Sequence, residues 1–343
     1  MDKIASDYLS KAEAIFVEYR TRRAPATLAR QHTTMVLLAR ELPRLGQLAP
    51  TATGLQLDPA SWQGITADMI RDFCRGLLAA GYALGTINGH LATLKTYARL
   101  AGEAGAMPPE IVTAILQLRG WSRGEGYYVD ERRRAAGQLT RVGWKKETGV
   151  ILTAAQGHQL LASCPDTPQG RRDRLLLVLL LEHGLRAGEV ARLTVSGIDL
   201  GQQQLRFFRP KVHKNQVHRL TITAYAAAQA YLQQDALAVG PLLRASNKSG
   251  LLTSAGLSTR AITARVRLLG ARVLGIANLS AHDLRHYWAT QAARGGTPVD
   301  RLQEAGGWSS AAMALRYVAA AQVANEGVIL SAEHSHANTE TGA

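Results

Sequence analysis

Residues 204–223 read QLRFFRPKVHKNQVHRLTIT, and here the chain changes its period. Gln204 to Phe208 and Val217 to Thr223 replace the surrounding Leu/Ala spacing with β-branched and aromatic residues, which predicts two short strands joined by a polar hairpin turn. On both sides the pattern is helical. Upstream, Leu175 to Leu181 is an unbroken aliphatic run, too uniform for a surface helix and therefore a buried one. Thr153 stands where an N-cap is needed, ahead of AAQGHQLLAS. Three- and four-residue apolar spacing returns at Leu257 and runs to about Leu330. The same spacing fills Ala5 to Leu118, with Thr66-Ala67-Asp68 as a helix start before Met69 and Ile70. The predicted fold is mainly α, with a small β-hairpin in a C-terminal domain.

Composition supports two domains. The chain has 343 residues with 46% hydrophobic and 19% charged, enough for a core in each half and too apolar for general disorder. Lys and Arg number 40 against 26 Asp and Glu, a formal net charge of +14, which points to a polyanionic partner, nucleic acid first. A membrane is excluded as the partner, because Leu175–Leu181 is about a third of the roughly 20 residues that a spanning helix requires. The opening MDKIASDYLSKAEAIFVEYR carries acids throughout and has no apolar signal region, so a cytoplasmic, DNA-associated protein is expected. Cys74 and Cys164 have neither CxxC nor Cys/His spacing, which supports no zinc site and no disulfide framework.

Four regions follow from these patterns. Residues 1–118 form a helical domain whose last long element, TINGHLATLKTYARLA, puts Ile87, Leu91, Leu94 and Ala98 on one face and His90, Lys95 and Arg99 near a more polar one, read as a face for DNA phosphates. Residues 119–149 read as a basic linker broken by glycines, with eight Lys or Arg against three acids between Arg119 and Lys146. Arg132, Arg133, Arg134, Lys145 and Lys146 are its candidate phosphate contacts. Residues 150–330 form the second domain, and the polar end SAEHSHANTETGA, 331–343, is expected to be disordered.

Four segments of the second domain offer phosphate ligands or a nucleophile. GLRAGEVARL holds Arg186 and, three residues on, Glu189; the hairpin holds Arg209, Lys211, Lys214 and Arg219 without an acid; HDLRHYWAT holds His282 and Arg285; GGWSSAAMALRY holds Trp308 and Tyr317. Each is weak alone. Their order resembles the tyrosine recombinases: phage integrases and the Xer-type and Cre-type enzymes. The likeness spans roughly Ile151 to Ala320, and TINGHLATLKTYARLAG is similar to the end of that family's SAM-like helical core-binding domain.

The resemblance implies a site-specific recombinase or integrase that breaks and rejoins DNA without metal, ATP or another cofactor. Tyr317 would attack the scissile phosphate to give a 3′-phosphotyrosine and a free 5′-hydroxyl, with Arg186 and Arg285 on the non-bridging oxygens, where planar, permanently charged guanidinium is suited. His282 would be the general base or the positioning partner of the tyrosine, Trp308 an N–H donor to phosphate, and Glu189 a support behind the site. Lys211 is favoured over Lys214 as general acid, leaving Lys214 as a phosphate contact. Partners implied are double-stranded DNA with inverted repeats and three further copies of the chain, since exchange needs four strand breaks. Apolar Val318, Val323, Val328 and Ile329 near the C-terminus would pack into a neighbour. Two rivals share parts of the pattern. A non-enzymatic DNA-binding regulator has no use for the cationic set, and a type IB topoisomerase is disfavoured by the two-part layout.

Overall fold

The computed structural model describes residues 2–45, 50–140, 149–235 and 238–321. The chain divides into two compact units, Met1–Glu147 and Thr148–Ala343. The first contains α1 (Asp2–Thr21), α2 (Pro25–Glu41), α3 (Ala52–Leu57), α4 (Ala67–Ala79), α5 (Leu84–Glu103), α6 (Pro109–Gln117) and α7 (Arg123–Ala135). Thr66 caps α4 by accepting from the Met69 N–H, as its sequence predicts. The core centres on α5, where Tyr97 stacks on Trp62 at 6.2 Å and meets Phe16 edge-on. Ile87, Leu91, Leu94 and Ala98 are all buried.

His90 departs from expectation. It lies three residues after Ile87 and four before Leu94, so the 3.6-residue period turns it into the core. Its Nδ1 sits 2.9 Å from Thr34 Oγ1, Phe73 and Tyr82 flank it edge-on, and burial pushes its pKa below the usual histidine value. It is a core histidine and cannot reach phosphate. Lys95 Nζ donates to the Leu116 carbonyl in the last turn of α6, and exposed Arg99 pairs with Glu103.

Much of the stretch read as a linker is α7. Ser122 and Glu125 close a capping box at its start, and Asn88 exchanges two hydrogen bonds with the Trp121 backbone, fixing the approach to α7 on α5. Arg133, only 5% exposed, pairs with Asp130 and donates to the carbonyls of Leu78, Tyr82 and Leu139. It is a structural tie rather than a phosphate contact, whereas Arg132 and Arg134 are exposed. Lys145, Lys146 and the 331–343 tail lie outside the described residues.

The second unit runs α8 (Ala154–Ala162), α9 (Pro168–Leu181), α10 (Ala187–Val190), β1 (Ile198–Asp199), β2 (Gln204–Arg209), β3 (Lys214–Arg219), α11 (Ile222–Gln234), β4 (Arg244–Ser246), β5 (Leu252–Gly256), α12 (Thr259–Leu274), α13 (Ala281–Arg294), α14 (Val299–Gly306) and α15 (Ala311–Ala321). Thr153 caps α8, and every residue of Leu175–Leu181 in α9 is buried, packed against α11 and α13. Burying each such side chain contributes about 1.5–3 kcal/mol. Strands β1-β2-β3 form an antiparallel sheet in which Leu205 pairs with His218, Phe207 with Gln216 and Arg209 with Lys214. The second strand of the hairpin lies nearer the turn than the expected Val217–Thr223, starting at Lys214. It ends at Arg219, and Thr221 accepts from the Ala224 N–H to cap α11, whose alanine-rich run outweighs the β-branched Thr221-Ile222-Thr223. A second two-stranded sheet, β4-β5, was not signalled by the sequence. Among the described residues no helix is long and apolar enough to cross a membrane.

The neighbours Arg132 and Arg133 make a direct test of this packing. Arg133→Ala should lower the unfolding free energy by about 2–4 kcal/mol, because three carbonyls and Asp130 lose a buried donor. Arg132→Ala should stay within about 0.5 kcal/mol of the parent. Urea denaturation of the full chain measures both, and equal effects would contradict the assignment.

Candidate active site

Arg186 precedes the short helix α10, and Glu189 lies one turn along it. The Arg186 N–H donates to Glu189 Oε2 at 2.8 Å and its Nη1 to Oε1 at 2.7 Å, so one carboxylate both caps the helix and holds the guanidinium. Arg186 is 24% exposed. Before it, Gly184 takes φ +60° and a Cβ there would collide with the Trp288 ring, so the sharp turn after α9 admits only glycine.

Strand alternation delivers a second arginine to the same carboxylate. Leu205, Phe207 and Arg209 share the inward face of β2, and Arg209, 0% exposed, donates through Nη1 to Glu189 at 3.0 Å. It also donates to Gln216 and to the carbonyls of Ala305 and Gly306. From sequence alone Arg209 is one of several hairpin cations. The missed signal is its place two residues after Phe207, in phase with the apolar positions.

The helix α13 supplies the rest. Asp283 accepts from the Ser280 and Val150 N–H groups and is therefore a structural cap inside the HxxR motif. His282, Arg285 and His286 fall three and four residues apart on one side of the helix. Arg285, 2% exposed, donates to the carbonyls of Gly184 and Gly306 and lies 5.1 Å from the centre of the Trp308 ring. Desolvation first, then Arg186 and Arg209, push its pKa down to about 9, which still leaves it charged at neutrality. Arg186 and Arg209 hold one carboxylate, and Arg285 lies within electrostatic reach of all three, a net excess of positive charge suited to an anion.

Tyr317 on α15 is buried in a small cluster with Ala289, Leu302 and Ala314, stacked on Trp308 at 5.3 Å between ring centres. Its Oη lies 3.5 Å from His286 Nε2, which in turn lies 2.8 Å from His282 Nε2. Burial raises the Tyr317 pKa, against the opposing pull of Arg285 and Arg186. His282 is lowered by desolvation and by its neighbours His286 and Arg285. His286 is a residue that sequence reasoning passed over, although HDLRH shows it four residues after His282. Gly307, at φ +58°, lets the chain turn from α14 into Trp308 directly over Arg209, where a Cβ would strike its side chain.

The structure thus brings together Arg186, Glu189, His282, Arg285, Trp308 and Tyr317. The hairpin lysines stand apart from one another in kind. Lys211 is exposed in the 210–213 turn, while Lys214, at the start of β3, has its Nζ 3.2 Å from Glu304. Among the described residues no three His, Cys, Asp or Glu side chains gather as a metal-ligand set.

Fold and site define a tyrosine-type site-specific recombinase. The chain belongs to the phage integrase family, whose profile matches residues 151–323. It is 27% identical to tyrosine recombinase XerD of Neisseria meningitidis serogroup B over 232 residues, covering 66% of this chain and 77% of that protein. Tyrosine recombinase XerC of Corynebacterium glutamicum is 26% identical over 269 residues, covering 71% and 84%. Among solved structures, the Tn1549 transposon integrase in complex with transposon right-end DNA shares the fold with a TM-score of 0.60 at 16% identity, over 90% of this chain and 94% of that one. A lambda integrase dimer bound to a COC′ core site gives 0.58 at 16%, over 91% and 94%.

Beneath Gly184, the imidazoles of His183 and His218 stack at 5.7 Å, and desolvation holds their pKa values down to about 4 and about 3. Unfolded histidine protonates near 6.5. Stability is therefore full above about pH 6.5 and falls as pH drops toward 4, by up to about 1.4 kcal/mol per pH unit for each histidine. His183→Leu should remove about half of the slope due to this pair, read as the difference between parent and variant in urea denaturation from pH 7 to 4.5. Parallel curves would contradict the neutral pair.

Proposed function

We propose that the chain cuts and rejoins duplex DNA at specific sites through a 3′-phosphotyrosine intermediate, without metal ion or ATP. The observation that carries this reading is the clustering of Arg186 and Arg209 on the single Glu189 carboxylate with Arg285 close by, beside the Trp308–Tyr317 pair. Tyr317 Oη attacks the phosphorus, and the bond to the 5′-oxygen breaks as that oxygen takes a proton. Bond energy is kept in the phosphotyrosine ester, so a 5′-hydroxyl from another strand can reverse the step without a nucleotide cofactor.

Arg186 and Arg285 are assigned to the non-bridging oxygens, where fixed cations act on charge as it develops. Arg285 is closed from solvent, so its contact needs a local opening at the Trp308 edge; Arg209, fully buried, stays a support. His282 and the Trp308 indole face the phosphate as donors. Lys211 is the general acid, a reading favoured by its exposed turn position and by the ion pair that occupies Lys214. Exposed Arg99, Arg132 and Arg134, with Lys145 and Lys146, are proposed to follow the phosphate backbone. The relatives' chemistry and the four breaks of an exchange favour a homotetramer on paired inverted repeats, joined through the segment after Ala321; Val323, Val328 and Ile329 lie outside the described residues. A DNA-associated place in the cytoplasm belongs to the same reading.

Tyr317→Phe should bind DNA as the parent does and form no covalent adduct on a nicked suicide duplex, whereas the parent should form the adduct even with excess chelator present. An adduct with the Phe variant, or loss of parent cleavage in chelator, would overturn the assignment. Lys211→Ala should cleave about 10²–10⁴-fold more slowly, and a sulfur in place of the leaving 5′-oxygen should restore most of that rate. Rescue of Lys214→Ala instead would transfer the role to Lys214.

A further inference from the structure

The two imidazoles on α13 refine the strand-cleavage reading and rest on it. His286 Nε2 lies 2.8 Å from His282 Nε2 and 3.5 Å from Tyr317 Oη. An imidazole nitrogen offers either one lone pair or one N–H. The two contacts therefore compete for the same atom. At 2.8 Å the imidazoles share a hydrogen bond, with one nitrogen as donor and the other as acceptor, while 3.5 Å is longer than an effective O–H···N bond.

Position separates their duties. His282 is on the exposed side of α13, where a phosphate arrives, and His286 is half-buried with its ring 5.2 Å from the Tyr317 ring. When His282 donates to His286, the lone pair that Tyr317 needs is occupied. A phosphate oxygen is charged and a stronger acceptor than imidazole, so it draws the His282 N–H away. The His286 lone pair is then open to the hydroxyl.

We propose that His286 receives the Tyr317 proton, and that His282 is a gate which frees His286 only when a phosphate occupies the cleft. In the cleavage step the Tyr317 O–H bond breaks and an N–H bond forms at His286 Nε2. The tyrosine oxygen bonds to phosphorus, the bond to the 5′-oxygen breaks, and that oxygen takes its proton from Lys211. Rejoining runs the same transfers backward. Burial disfavours the free tyrosinate, so a base in contact with the hydroxyl has work that the arginines alone do not do. The gate also ties nucleophile activation to bound substrate.

The test uses the full chain and a nicked suicide duplex carrying an inverted repeat from the DNA that flanks the gene. His286→Gln keeps the side-chain volume and loses the base; His286→Ala is the second variant, and thermal melting and DNA binding are followed for both. Both should bind DNA normally and form the covalent adduct at least about 100-fold more slowly. Replacing Tyr317 with a fluorinated tyrosine, whose phenol ionises more readily, should bring the His286 variants to within about tenfold of the parent, a rescue in line with general-base loss. The same replacement should not restore His282→Leu, which has no N–H to give the phosphate. Cleavage at the parent rate by His286→Gln, a slow His286 variant that the fluorotyrosine fails to rescue, or rescue confined to His282→Leu would each overturn the proposal. Absence of any adduct with the parent would instead overturn the strand-cleavage reading, and the base assignment with it.

Discussion

Two guanidinium groups and a backbone N–H converge on the Glu189 carboxylate, which is 4% exposed. Without it, Arg186, Arg209 and Arg285 would face one another across a poorly solvated space, where like charges repel far more than in water. With it, Arg186 and Arg209 are fixed to one anchor from two different elements, the start of α10 and the inner face of β2. The cluster keeps more positive than negative charge. In the proposed reaction a scissile phosphate supplies the counter-charge.

The same arginines also settle the end of α14. The last carbonyls of a helix have no partner within it and carry its negative partial charge. Here Ala305, Gly306 and Gly307 offer those carbonyls to Arg209, Arg285 and Arg186. The turn into Trp308 is thereby locked to the hairpin, to α10 and to α13 at once. Trp308 stacks on Tyr317, so the placement of the tyrosine ring is set by charge–carbonyl contacts made two elements away. A substitution in the hairpin can therefore disturb the tyrosine without touching it.

The sequence was most legible where a local rule decides the outcome. Thr66 and Thr153 cap helices as their positions indicate, and the aliphatic run of α9 is buried on every side. The order of Arg186, His282, Arg285, Trp308 and Tyr317 picks out side chains that the fold gathers in one candidate site. Tertiary contacts hid the rest. His90 and Arg133 are polar by type and buried by phase, His90 through the period of α5 and Arg133 through three carbonyls contributed by residues 78, 82 and 139. The glycines near 124 suggested a linker, yet a capping box and Asn88 hold α7 in place. Arg209 and His286 sit among other cations and aromatics, and only strand register and helix packing show which atoms they reach.

The central claim is that Glu189 and Arg209 act as one unit that shapes the arginine cluster. A double-mutant cycle on unfolding free energy tests it most directly, using Glu189→Gln, Arg209→Met and the double variant in urea denaturation. Glu189→Gln leaves the buried Arg209 without its counter-charge and should cost about 3–5 kcal/mol; Arg209→Met leaves Glu189 with Arg186 alone and should cost about 2–3 kcal/mol. The double variant should cost at least about 2 kcal/mol less than the sum of the two, as contacting residues in one network do. Costs that add within about 0.5 kcal/mol would mean that the two side chains act independently, and would contradict the account.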